Sequence, residues 1–169
     1  MIQPSMTMAM VFLALALASA SATTTDPRVA ECLTFLRKNA PVGDAELSDD
    51  YLTDNINSAL AARDATHFAG SVPWALFLND VLPYAIMSEK RTLWRDQIRA
   101  KVAPMVAHET SLKNATLAVA AKLWDAWGPP TIKYVASPPD QVNAYNPLAV
   151  IAAHNASCTG LSILFASAC

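Results

Sequence analysis

At 169 residues, 53% of them hydrophobic and 15% charged, the chain is long enough for one domain with a core of its own. Its formal net charge of −2, from 12 basic and 14 acidic side chains, is spread too thinly to form the basic patch that nucleic-acid binding requires. Three cysteines are too few for a disulfide-stapled mini-domain, and four glycines leave no glycine-rich loop to cradle a phosphate.

Residues 1–22 contain no charged side chain. A short polar start over residues 1–7 leads into an apolar stretch, residues 8–18, and then the small residues Ser19-Ala20-Ser21-Ala22. This is a signal-peptide pattern without the usual basic start. Its Ala-x-Ala site at Ala20 and Ala22 predicts cleavage before Thr23 and a secreted or otherwise extracytoplasmic product. The apolar run of 11 residues falls short of the roughly 20 that span a bilayer, so no membrane association is expected after cleavage. Losing the leader removes no charge.

Beyond it the sequence reads as mostly helical. Thr25 or Asp26 can cap a helix with Pro27 in its first turn and Val29, Cys32, Leu33 and Leu36 at helical spacing. Asn39-Ala40-Pro41-Val42-Gly43 ends it. A second helix is expected after Ser48, with Leu52, Ile56, Ala59 and Leu60 on one face, and residues 66–71 then form a loop. Pro73 and Pro83 bracket a short segment so apolar on all sides that it should be buried. Ser88 is expected to cap a helix carrying Leu93, Trp94, Ile98 and Val102, broken or kinked near Pro104. The clearest helix runs from Ser111 to Trp127, with Leu112, Ala115, Val119, Leu123 and Trp127 in a stripe, and Gly128-Pro129-Pro130 stops it. Residues 131–136 alternate enough for a short strand, and 137–147 are turn-rich. Asn155 or Ser157 can cap a last helix with Leu161, Leu164, Phe165 and Ala168 on its apolar face. That helix has a start signal and no stop signal before Cys169, which suggests a chain that continues.

Chemistry concentrates at Cys158, in the first turn of this last helix. Thiolate is the reactive form of cysteine, and free backbone N–H groups at a helix N-terminus stabilise it. Such a cysteine still needs a general base and an orienting carboxylate to act as a nucleophile. Gly160 permits close approach of a backbone or a substrate. An odd number of cysteines in an exported chain leaves at least one thiol free or paired elsewhere.

The stretch Ala156-Ser157-Cys158-Thr159-Gly160-Leu161-Ser162-Ile163-Leu164 resembles the nucleophile segment of the transglutaminase-like superfamily. Upstream blocks match in order: Val72-Pro73-Trp74, Phe77-Leu78, Val81-Leu82-Pro83-Tyr84, Trp94-Arg95, Asp140-Gln141 and Pro147-Leu148. The resemblance covers roughly residues 48–169. It implies a fold class that is mostly α within this chain: the helical N-terminal part of an α+β papain-like fold whose β-sheet lies beyond the C-terminal end. Residues 1–22 would be the signal peptide, 23–136 a helical lead-in and 137–169 the start of the core. It implies Cys158 as nucleophile, a protein or peptide substrate, and acyl transfer or amide hydrolysis through a thioester. The family's His and Asp partners would follow the nucleophile helix.

His67, in the loop 65–70, His108, at a helix junction, and His154, four residues before Cys158, are poor substitutes, His154 being the nearest. No cofactor is implied and no calcium or other metal spacing is present, so calcium dependence is not carried over. Trp74, Trp94, Trp124 and Trp127 fit core positions, with Trp74 also able to line a substrate groove. A Cys32–Cys169 disulfide would leave Cys158 free, and unpaired buried thiols fit as well. Two N-glycosylation sequons, Asn114-Ala115-Thr116 and Asn155-Ala156-Ser157, matter where the host glycosylates. A catalytic Cys158 predicts that the second is unused. The rival reading is a secreted helical binding domain in which Cys158 is structural, and a degenerate relative without activity is a third.

Overall fold

Where these helices begin is decided by which polar side chains can take up the unpaired N–H groups of a first turn. The computed structural model describes residues 26–66, 68–139 and 144–169. The leader, His67 and Asp140-Gln141 lie outside the described residues. The helices are α1 (Pro27–Asn39), α2 (Asp49–Ala65), α3 (Trp74–Leu76), α4 (Arg95–Val106), α5 (Leu112–Lys122), α6 (Pro147–Ala153) and α7 (Cys158–Ala168). Asp26 caps α1 by accepting from the Arg28 N–H at 2.9 Å. Ser48 caps α2 and Ser111 caps α5, each accepting the N–H three residues on, at 3.1 and 3.2 Å. Asn146 caps α6, its Oδ1 accepting from the N–H groups of Leu148 and Ala149. The Ser157 hydroxyl accepts from Gly160 N–H at 3.4 Å and caps α7.

The helices form two cores. Val29, Cys32 and Leu36 of α1 meet Leu52, Ile56, Ala59 and Leu60 of α2, with Phe77, Leu82 and Tyr84 closing the first. Trp94, Ile98, Ala115, Val119, Leu123, Val150, Ile151, Ala156 and Leu164 are among the residues of the second. Polar contacts join them: Trp94 Nε1 donates to Tyr84 O at 3.1 Å and Asn146 Nδ2 to Lys90 O at 2.7 Å. The sheet among the described residues is one parallel pair, β1 (Lys133–Tyr134) against β2 (Asn155–Ala156), with Lys133 opposite Asn155 and Tyr134 opposite Ala156. The described chain is therefore mostly α. No described helix is long and apolar enough to cross a membrane.

Several expectations need correction. Ser88 does not cap α4, which starts at Arg95. The segment before it is shaped instead by Glu89, whose carboxylate accepts from the N–H groups of Ile86 and Met87. Arg91 adds to this by donating to the carbonyls of Met87 and Glu89. The break expected near Pro104 comes two residues after it, where α4 ends at Val106. The apolar segment after Pro73 is not buried all round. Its α3 turn passes into a π-turn, Phe77–Val81, that buries Phe77 while Leu76 is 51% exposed. Leu112 leaves the stripe of α5 and is 48% exposed. Residues 147–153, to which the sequence pattern assigns no element beyond Pro147, form a helix. Cys32 and Cys169 are both free thiols, Cys32 sealed in the first core and Cys169 at the end of α7 beside the second, so they form no disulfide.

Candidate site at the start of α7

The segment from α6 to α7 folds as helix, strand, helix with almost no slack. His154 ends α6 in the left-handed region, φ 52°, a conformation histidine tolerates better than bulkier or branched residues. Its carbonyl accepts from Lys133 N–H at 3.1 Å, and Ala156 O accepts from Val135 N–H at 2.9 Å, so β2 is pinned to β1 on both sides of its two residues. Ala156 is fully buried. Extended backbone at Ser157 then turns the chain into α7, and Cys158 is its first residue.

Gly160 shows how tightly this turn is seated. A Cβ placed there would stand 2.4 Å from the carbonyl oxygen of Ala144, 2.8 Å from Cβ of Ala156 and 3.3 Å from Cγ2 of Val150. The close approach that the sequence suggested is thus made by the backbone preceding α6, not left open for a substrate. Farther along, Ile163, Leu164 and Ala168 are buried, and the Phe165 ring stacks on Trp124 at 6.4 Å. The helix is fixed by its far end and by its first turn, while the Cys158 side chain stands exposed.

The three thiols differ in surroundings. Burial, reinforced by the neighbouring Glu31 carboxylate, pushes the Cys32 thiol up to about 11. The Cys169 thiol is also raised by burial of its side chain, although the residue as a whole is open at the helix end. Cys158 is exposed at a helix start. Its thiol makes no hydrogen bond to a histidine or carboxylate among the described residues. His154 is half-buried and its Nδ1 points into the interior without a partner. His108 is exposed in the turn after α4.

Other candidates fall elsewhere. Trp74 belongs to the first core, stacked on Phe77 at 4.9 Å with Arg63 over its ring, and its Nε1 donates to Glu31 at 2.8 Å. Trp94 is buried in the second core, with Trp124 and Trp127 packed against it. A cleft of about 310 Å³ lies between α2 and α4, lined by Asp54, Asn55, Asn57, Ser58, Leu93, Arg95 and Asp96, and includes no residue of α7. Among the described residues no three His, Cys, Asp or Glu side chains gather as a metal site would need.

Sequence reasoning missed Asn146, which caps α6 and ties the approach to α7 onto Lys90 and Thr92. The pair Asn146-Pro147 is a helix-start signal of the ordinary kind. It was obscured by the prolines and asparagines around it. No protein-family model, curated protein or solved structure matches the chain.

Proposed function

We propose that this chain carries the nucleophile of a transglutaminase-like cysteine enzyme, with Cys158 forming a thioester with a glutamine carboxamide or a peptide amide. The observation that supports it is the position of the Cys158 thiol: exposed, at the first residue of a helix held rigid by a strand, a preceding loop and a core. A nucleophile must be open to its substrate yet fixed in place, and of the three thiols this one meets both requirements. In the reaction the thiolate adds to the amide carbon, the C–N bond breaks and the amine leaves with a proton. An amine or water then takes the acyl group and frees the thiol. The proton transfers need a His and an Asp that the described residues do not supply to Cys158. The proposal places them C-terminal to α7, on the sheet of a papain-like α+β fold packed against that helix.

The test uses the product of the complete gene, incubated with a glutamine-containing peptide and a fluorescent primary amine. The expected result is amine incorporation or ammonia release, a peptide thioester trapped on Cys158 after acid quench, and loss of both in Cys158→Ala. Because the side chain is exposed, that variant should keep the stability of the parent. Unchanged turnover in Cys158→Ala, or no adduct on Cys158, overturns the proposal in favour of a secreted binding domain with a structural cysteine.

A further inference from the structure

Two sequons occur in the chain, and the fold treats their asparagines in opposite ways. Asn114 lies in the first turn of α5. Its backbone N–H is held by Ser111 Oγ, and its side chain is exposed. Thr116, the hydroxyl residue of the sequon, is exposed as well, and the intervening Ala115 anchors the turn in the second core. One helical turn along from Asn114 stands Leu117, 59% exposed, on a stretch where Leu112 is also 48% exposed. Residues three apart on a helix are neighbours, so a sugar on Asn114 would lie over apolar surface that is otherwise wet.

Asn155 is half-buried within β2. Its Nδ2, the atom a glycan would occupy, donates to Ala153 O at 2.7 Å, and its Oδ1 is enclosed without a partner. Ala156 beside it is fully buried, and the Ser157 hydroxyl is engaged as the cap of α7. A glycan on Asn155 would replace a hydrogen of the Nδ2 that is bonded to Ala153 O and crowd the enclosed Oδ1 beside it, where Asn114 has neither constraint.

We infer that Asn114 is the N-glycan acceptor of this chain and that Asn155 is not. The donor is a lipid-diphosphate-linked oligosaccharide. Asn114 Nδ2 bonds to the anomeric carbon, the sugar C–O bond to the diphosphate breaks, Nδ2 gives up one proton, and the lipid diphosphate departs with the bonding electrons. The inference rests on export and is independent of chemistry at Cys158.

The experiment expresses the chain in cultured animal cells, once with its own first 22 residues and once with a proven cleavable leader in their place. Failure of the native leader alone then reports on export and leaves the acceptor question to the second version. Secreted protein is treated with peptide-N-glycosidase in 18O water and mapped by mass spectrometry. The expected result is one deglycosylation shift, an 18O-labelled Asp at position 114, an unlabelled position 155, and loss of the shift in both Asn114→Gln and Thr116→Ala. Secreted protein from the second version with no shift, or with label at position 155, overturns the inference.

Discussion

Gly160 is held to glycine by what surrounds it. Alanine is the better helix former by about 1 kcal/mol. Here its methyl would stand 2.4 Å from a backbone oxygen and 2.8 Å from another Cβ, neither of which is the end of a flexible side chain. Overpacking of that kind costs about 1–3 kcal/mol, so the clash outweighs the propensity gain. We expect Gly160→Ala to lower stability by up to about 2 kcal/mol in urea denaturation, with a higher midpoint as the contrary result. The same scale governs the thiols. With iodoacetamide at neutral pH, Cys158 should be alkylated first and Cys32 only on global unfolding, because Cys32 is fully buried and its thiol is raised to about 11. Peptide mapping against time of labelling checks the order, and early modification of Cys32 would contradict the first core as described. In the sequence, Ser157-Cys158-Thr159-Gly160 disclosed the cap, the place of the cysteine in the first turn and the need for a small residue. It did not disclose the neighbour, since Ala144 comes near only through the fold of α6.

At the scale of elements, legibility followed the source of each helix's definition. α1, α2, α5 and α7 carry local caps and a periodic apolar face, and their starts could be read residue by residue. α4 could not, because its beginning is set at a distance: Trp94 is drawn in by Tyr84 O, and Glu89 and Arg91 organise the turn before it. α6 was hidden by its shortness, seven residues amid turn formers. Asn146 does two jobs there. Its Oδ1 caps α6, and its Nδ2 donates to Lys90 O and to Thr92 Oγ1 at 2.7 and 2.8 Å. Losing an N-cap costs about 1 kcal/mol and leaving partly buried acceptors and the capped amides unpaired about 1–2 more. Asn146→Ala should therefore destabilise by about 2–3 kcal/mol, whereas Ser157→Ala, which loses only a 3.4 Å cap, should lose about 0.5–1. Hydrogen exchange adds a second reading. Protection should fall in α6 and also in residues 90–92 for Asn146→Ala, and a loss confined to α6 would show that the link to Lys90 carries nothing.

For the whole molecule, the junction between the two cores is polar, and the buried polar groups of the first core lie beside it. Arg95 reaches from α4 and has no salt-bridge partner among the described residues. It donates to Asn55 Oδ1 and to the carbonyls of Val81, Leu82 and Pro83, where it takes up the end of the π-turn. Burial pushes its guanidinium down to about 10, so it stays charged at neutral pH. Asp44 is held by Arg91 at 2.9 Å and by the Tyr84 hydroxyl at 3.1 Å. Tyr84 is pushed up to about 12, by burial first and then by the bond and charge of Asp44. A phenol whose folded value lies above its unfolded value near 10 contributes stability that is complete below about pH 10 and is lost as pH rises toward 12. Two units correspond to at most about 2–3 kcal/mol. Tyr51, raised in the same direction by burial, adds to the loss. Tyr84→Phe separates these contributions: it keeps the ring in the first core and removes the titrating hydroxyl, at a neutral-pH cost of about 1 kcal/mol for the bond to Asp44. Urea midpoints taken from about pH 9 to 12 should fall more steeply for the parent than for Tyr84→Phe, so that the parent's advantage of about 1 kcal/mol is used up and the two curves meet or cross before the alkaline end. Parallel curves would mean that the Tyr84 proton is not held by the fold.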